Sequence, residues 1–122
     1  MHIRLLVLRT GSPERLADFY GLFGLKFEYH KHGNSPFHYA ASIGATTLEI
    51  YPLAKQQAEP DINLRLGFEV ASFKETIQKL KENNVHFFSE PVITDFGFMT
   101  IIADPDGRKI ELYDQHTPLL KS

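Results

Sequence analysis

The chain contains no cysteine. Disulfides, thiolate metal sites and cysteine nucleophiles are excluded on that ground, and the composition suits a reducing, cytoplasmic setting. No apolar run approaches the ~18 residues of a membrane-spanning helix. Arg4 interrupts the opening apolar run, so no secretory signal is expected. Charge of neither sign dominates: 13 Lys and Arg against 15 Asp and Glu leave −2 at pH 7, with a pI near 6.3. That balance implies neither a nucleic-acid nor an anionic-membrane partner. There is no glycine-rich phosphate loop, since Gly21 and Gly24 bracket a helix end. A Gly-x-Ser-x-Gly nucleophile elbow is missing as well.

What remains is an ordinary globular composition, 43% hydrophobic and 23% charged over 122 residues, enough for one domain or two small halves. Its most informative stretch is Ala103-Asp104-Pro105-Asp106-Gly107-Arg108-Lys109-Ile110-Glu111-Leu112. Asp-Pro-Asp-Gly signals a turn in which Gly107 takes a left-handed backbone. In the strand that follows, Ile110 and Leu112 point one way, and Lys109, Glu111 and Tyr113 the other. A carboxylate opposite an apolar stripe is either solvated or directed into a pocket, which makes Glu111 a candidate functional residue.

The rest of the chain reads as one unit written twice. Leu5–Leu8 is a buried strand, Ser12 an N-cap and Pro13 the first helical residue. Leu16, Phe19, Tyr20 and Phe23 recur at helical spacing up to Gly24. Leu25–Tyr29 is a strand, and Phe37–Ile43 and Thr46–Tyr51 form a hairpin through Gly44-Ala45. After a linker at residues 54–63, residues 64–70 alternate as a half-buried strand, and Ser72 with Glu75 forms a capping box. Phe73, Ile77 and Leu80 line one helix face, and Asn83-Asn84 ends that helix. Val85–Ser89 is a strand, and Phe98–Ala103 pairs with Arg108–Tyr113. The two copies are offset by about 60 residues, which places Leu5 over Arg65 and, with small slippage, Glu49 over Glu111. The predicted class is α+β, two βαβββ repeats (1–53 and 64–115) forming paired curved mixed sheets around a shared cleft within one domain. A tail covers residues 116–122.

This pattern resembles the vicinal oxygen chelate superfamily, which includes glyoxalase I, bleomycin-resistance proteins, fosfomycin-resistance enzymes and extradiol dioxygenases. The match is carried by Arg15-Leu16-Ala17-Asp18-Phe19-Tyr20, Gly24-Leu25-Lys26-Phe27, Leu48-Glu49-Ile50 and the Asp104–Leu112 stretch. The resemblance implies metal ligands at four positions, on the first and last strands of each half. Here the last-strand positions carry Glu49 and Glu111, whereas the first-strand positions carry Leu5 and Arg65. Leu has no donor atom, and Arg brings a fixed positive charge with no lone pair. The flanking residues Arg4, Leu6, Leu64 and Leu66 offer no histidine in their place. No metal is therefore expected; Zn, Ni, Mn or Fe on a rearranged site is the alternative.

On the fold implied by the resemblance, parity puts Leu5, Val7, Arg9, Thr47, Glu49 and Tyr51 on the cavity face. Gly44-Ala45 places His38 opposite Tyr51 and Ala40 opposite Glu49. Arg65, Gly67, Glu69, Lys109, Glu111 and Tyr113 share the corresponding face of the second half. A regular four-residue turn sets Phe98 opposite Tyr113 and Thr100 opposite Glu111; a bulge at Gly107 would shift that register. The expected cavity has an aromatic rim of Tyr51, Tyr113, Phe98 and Phe96 over a floor of Glu49, Arg65 and Glu111. Arg65 either serves as a structural counter-charge or also contacts a small polar or aromatic ligand. His38 is weighed as a general base with Glu49 and Glu111, or as a hydrogen-bonded structural residue. His30 and His32 are read as a solvated loop edge. Two functions follow: a metal-free small-molecule binder of the bleomycin-resistance type, and a glyoxalase I-like lyase or dioxygenase-like enzyme with a rearranged site. A homodimer is expected from the small size of each half-core.

Overall fold

A computed structural model describes residues 1–116; the predicted tail, apart from His116, lies outside the described residues. The chain divides into two compact units, Met1–Asp61 and Ile62–Ser122. The first contains β1 (Leu5–Thr10), α1 (Pro13–Gly21), β2 (Glu28–His30), β3 (His38–Ile43) and β4 (Thr46–Pro52). The second contains β5 (Leu66–Val70), α2 (Phe73–Glu82), β6 (Phe87–Thr94), β7 (Gly97–Ala103) and β8 (Lys109–Asp114). Each unit builds one four-stranded mixed sheet, ordered β1-β4-β3-β2 and β5-β8-β7-β6. Within each sheet the first and last strands pair parallel and the hairpins antiparallel. The fold is the expected α+β pair of βαβββ repeats.

In each unit the apolar parity of the strands meets the apolar stripe of the helix. Leu8, Leu48 and Ile50 are buried with Leu16, Ala17, Phe19 and Tyr20 of α1. Val70, Ile102, Ile110 and Leu112 are buried, as are Phe73 and Leu80 of α2. Both helices start at the expected serines, but through the backbone. Leu16 N–H donates to the Ser12 carbonyl (3.1 Å) and Thr76 N–H to that of Ser72 (2.9 Å), and neither serine hydroxyl caps its helix. The capping box of Ser72 and Glu75 is therefore not formed. β2 is shorter than expected and begins only at Glu28. β6 is longer than expected and runs through Pro91 with two register shifts. Proline is tolerated there because β6 is the edge strand of its sheet.

The two hairpins next to the last strands differ in their turns. Gly44 (φ +57) and Ala45 make a two-residue turn, with Ile43 opposite Thr46 and Ala40 opposite Glu49, as expected. Between β7 and β8 the turn holds one residue more on one side. Gly107 N–H donates to the Asp104 carbonyl (2.9 Å), Asp104 N–H donates to the Arg108 carbonyl (2.9 Å), and Gly107 sits at φ +97 as a bulge. Met99 then faces Tyr113, Thr100 faces Leu112, and Ile101 faces Glu111. The regular-turn register is corrected by one residue. Phe98 and Thr100 consequently lie on the helix side: Phe98 packs on Phe73 of α2 at 5.2 Å, and the buried Thr100 hydroxyl donates to the Ser89 carbonyl.

The turn is held by a buried ion cluster. Arg108 is 1% exposed and Asp104 3%. Arg108 Nη1 donates to Asp104 Oδ2 (3.0 Å) and to Asp106 Oδ2 (2.9 Å). Asp104 Oδ1 accepts the backbone N–H of Asp106 (2.9 Å) and of Arg108 (3.0 Å). Burial works against the guanidinium charge, but the two carboxylates outweigh it and hold Arg108 above its usual pKa. Removing one partner strands a buried charge. Arg108→Met is expected to lower stability by about 3–5 kcal/mol in urea unfolding. Gly107→Ala, forced into a left-handed backbone, is expected to cost roughly 1 kcal/mol by the same measurement.

Candidate functional site

The helix-free face of the first sheet collects residues from three strands. β1 and β4 run parallel, with Leu5, Val7 and Arg9 beside Thr47, Glu49 and Tyr51. The β3–β4 register brings His38 over Tyr51. Their rings stack at 4.3 Å and 7°, and the Arg9 guanidinium lies 5.1 Å from the same Tyr51 ring. Arg9 Nη1 also donates to the Pro52 carbonyl (3.1 Å). His38 is fully buried, and its Nε2 stands 3.5 Å from Glu49 Oε2. His38, Glu49 and Tyr51 thus form one contiguous group. Leu5 does not join it: that side chain is 52% exposed, two residues from the strand neighbour of Glu49. An open groove lined by Lys26, Glu28, Ser42 and Thr47 adjoins this sheet face.

His32 is exposed in the β2–β3 connection, as expected, but His30 is half-buried against His38. β2 pairs with β3 so that His30 faces His38 directly. The His30 ring lies 4.6 Å from His38 and 4.5 Å from His32. The signal was present in the sequence as three histidines of matching strand parity. What hid it was the length of the β2–β3 connection, which decides whether those parities meet.

The helix-free face of the second sheet is built from Gly67 and Glu69 of β5, Lys109, Glu111 and Tyr113 of β8, and Arg65 just before β5. Gly67 is the strand neighbour of Glu111, and Glu69 that of Tyr113. Arg65 Nε donates to Glu111 Oε2 at 2.6 Å. The Tyr113 hydroxyl donates to the other carboxylate oxygen, Glu111 Oε1. That hydrogen bond, then burial, raises the Tyr113 phenol above its usual pKa. Arg65 is half exposed and Glu111 about one quarter. Gly67 is exposed and presents no side chain, and the Tyr113 ring and Glu111 lie 3.6 and 3.7 Å from where its Cβ would stand. Met99 and Ile101 flank Tyr113 and Glu111 in place of Phe98 and Thr100. Lys109 projects away from the carboxylate, with its ammonium 5.3 Å from the Phe88 ring. Phe96 sits 74% exposed at the tip of the β6–β7 hairpin.

These residues do not make the four-position chelate that the resemblance implies. Leu5 offers no donor. The strand neighbours of the two glutamates, Val7 and Gly67, offer none either. Glu111 accepts a charge-assisted hydrogen bond from a guanidinium and one from a phenol.

Residues 2–112 match the sequence model of the Glyoxalase/Bleomycin resistance protein/Dioxygenase superfamily. No curated protein sequence matches the chain. Among solved structures, TnmS3, an antibiotic binding protein from Streptomyces sp. CB03234, is 22% identical with a TM-score of 0.76, covering 93% of this chain and 95% of its own. A glyoxalase/bleomycin resistance protein from the same Streptomyces is 21% identical with a TM-score of 0.72, covering 93% and 100%. The oxidase ChaP-H2 is 14% identical with a TM-score of 0.76, covering 99% and 97%. At these identities the structural likeness establishes the fold, and the binding protein and the oxidase share it. With its two βαβββ units and a match running through the Asp104–Leu112 turn and strand, the chain belongs to the Glyoxalase/Bleomycin resistance protein/Dioxygenase superfamily.

Proposed function

We propose that this protein binds a small anionic or aromatic molecule, without catalysis, on the Arg65–Glu111–Tyr113 face. One observation carries the reading: a half-exposed guanidinium held 2.6 Å from Glu111. A carboxylate ligand can pair with the free edge of Arg65, whose planar fork suits a bidentate contact. Tyr113 offers an aromatic edge within the same group of side chains. The antibiotic-binding protein among the structural neighbours is consistent with this use of the fold. A cationic drug suits the face less well, because Arg65 and Lys109 oppose it.

Benzoate and salicylate are suitable probes. They are expected to raise the melting temperature of the wild type, and Arg65→Met is expected to weaken their binding at least tenfold in titration calorimetry. Equal binding by wild type and Arg65→Met, or none by the wild type, overturns the reading.

A metal-dependent lyase or dioxygenase on a rearranged site is the second reading. It is favoured by the imidazoles gathered beside Glu49. Catalytic metal at the family's positions would appear as stoichiometric Zn, Ni, Mn or Fe in the purified protein, lost in Glu111→Gln.

We further propose a homodimer. Ile3, Leu5 and Val7 are 60%, 52% and 40% exposed at and just before β1, an edge strand of its sheet. Exposed apolar edge strands invite pairing with a second chain. Light scattering is expected to give the mass of two chains; a single-chain mass at micromolar concentration refutes the dimer.

A further inference from the structure

Three imidazoles converge where β2 passes into β3. His30 ends β2, His32 lies in the connection, and His38 opens β3. Their candidate ligand nitrogens all lie within 4.8 Å of one another. The local chain holds them there. His30 and His38 are register partners across the ladder. The connection folds back through Ser35 N–H donating to the His32 carbonyl (2.9 Å) and His32 N–H donating to Ser35 Oγ (3.0 Å).

Two of these nitrogens, His30 Nδ1 and His38 Nε2, are buried without a hydrogen-bond partner. His38 itself is fully buried. Its Nδ1 lies 3.1 Å from the Pro36 carbonyl, which can only accept, so Nδ1 carries the proton. Nε2 is then left with a lone pair, and it faces Glu49 Oε2 at 3.5 Å. A proton or a cation between Nε2 and the partly exposed carboxylate would satisfy this contact. A proton on Nε2 would serve that contact alone and leave His30 Nδ1 unpartnered. A divalent ion held by the clustered imidazoles would use the lone pairs of both nitrogens, with Glu49 beside His38.

The distances suit one. Zn–N bonds of about 2.0–2.1 Å in a tetrahedral site set neighbouring ligand atoms roughly 3.4 Å apart. The His38–Glu49 separation already has that value within 0.2 Å. The three imidazole ligand atoms lie within 4.8 Å of one another, and His32 is exposed. The Pro36 carbonyl supplies the outer hydrogen bond that fixes the tautomer of a metal-bound histidine. Nitrogen donors with one carboxylate select a borderline transition ion over Mg²⁺ or Ca²⁺, which take oxygen ligands.

We propose that His30, His32 and His38, with Glu49, form a site for one Zn²⁺ ion per chain. The three imidazoles come from β2, β3 and their connection; Glu49, on β4, is at a position that the resemblance assigns to the family's chelate. The ligands of this site belong to the first unit, whereas Arg65 belongs to the second.

Zinc chloride titrated into metal-stripped full-length protein, in competition with a chromophoric chelator, tests the proposal. The wild type is expected to take up one Zn²⁺ per chain, and magnesium chloride is not expected to compete. His32→Ala, at an exposed loop position, is expected to keep the fold by circular dichroism and to weaken zinc binding at least tenfold. Glu111→Gln is expected to leave zinc binding unchanged. X-ray absorption of the zinc-loaded protein should show imidazole scattering from two or more histidines. The proposal is overturned if the wild type takes up no stoichiometric zinc, if His32→Ala binds it as tightly as wild type, or if Glu111→Gln abolishes the uptake. Zinc lost in His32→Ala with benzoate binding intact separates this site from the anion site.

Discussion

The buried contact of Arg108 with Asp104 and Asp106 is the constraint on which the second unit depends. A guanidinium at 1% exposure is stable only with its charge matched and its donors used. The Asp-Pro-Asp-Gly-Arg turn provides both within five residues, and it also ties the backbone N–H groups of Asp106 and Arg108 to Asp104. The geometry that satisfies Arg108 is a bulged turn, with Gly107 in the left-handed region. That bulge sets the β7–β8 register, and the register decides which β7 side chains stand beside Glu111 and Tyr113. Met99 and Ile101 do so; Thr100 and Phe98 turn toward the helix side.

The first unit follows the same plan with a different turn, and its chemistry diverges for that reason. Gly44-Ala45 closes the β3–β4 hairpin without a bulge, so strand parity carries straight through. His38 therefore lands on Tyr51 and beside Glu49. Once β2 pairs with β3, His30 and His32 are drawn to the same place. One sheet ends with nitrogen donors around a carboxylate, and the other with a guanidinium and a phenol on a carboxylate. Equivalent glutamates in the two repeats, Glu49 and Glu111, thus sit in different surroundings: an imidazole beside the first, a guanidinium and a phenol on the second.

This divergence explains how a chain of this superfamily can depart from the four-position chelate and still keep polar groups ordered on each sheet. The chelate needs lone pairs on the first strands, and Leu5 and Arg65 supply none. The carboxylates left behind cannot be buried alone. Arg65 and Tyr113 satisfy Glu111 from neighbouring positions. Glu49 has His38 beside it.

Much of this was legible in the residues. Strand alternation, the Ser12-Pro13 and Ser72 helix starts and the repeat near 60 residues fixed the fold class, because periodicity and turn chemistry are local properties. Parity within strands put Arg65 on the face of Glu111, and the Gly44-Ala45 turn put His38 opposite Tyr51. Other features depended on how strands meet. The one-residue shift of β7 goes with the bulge at Gly107, in a turn whose Arg108 is buried in the packed chain. The imidazole cluster came from β2 docking on β3 across a loop whose path no side-chain pattern encodes. Sequence alone determined which side chains each strand carries and on which side. Only tertiary structure decided which of them become neighbours, because register across a ladder is set by turn geometry and by the cost of leaving buried charge unpaired.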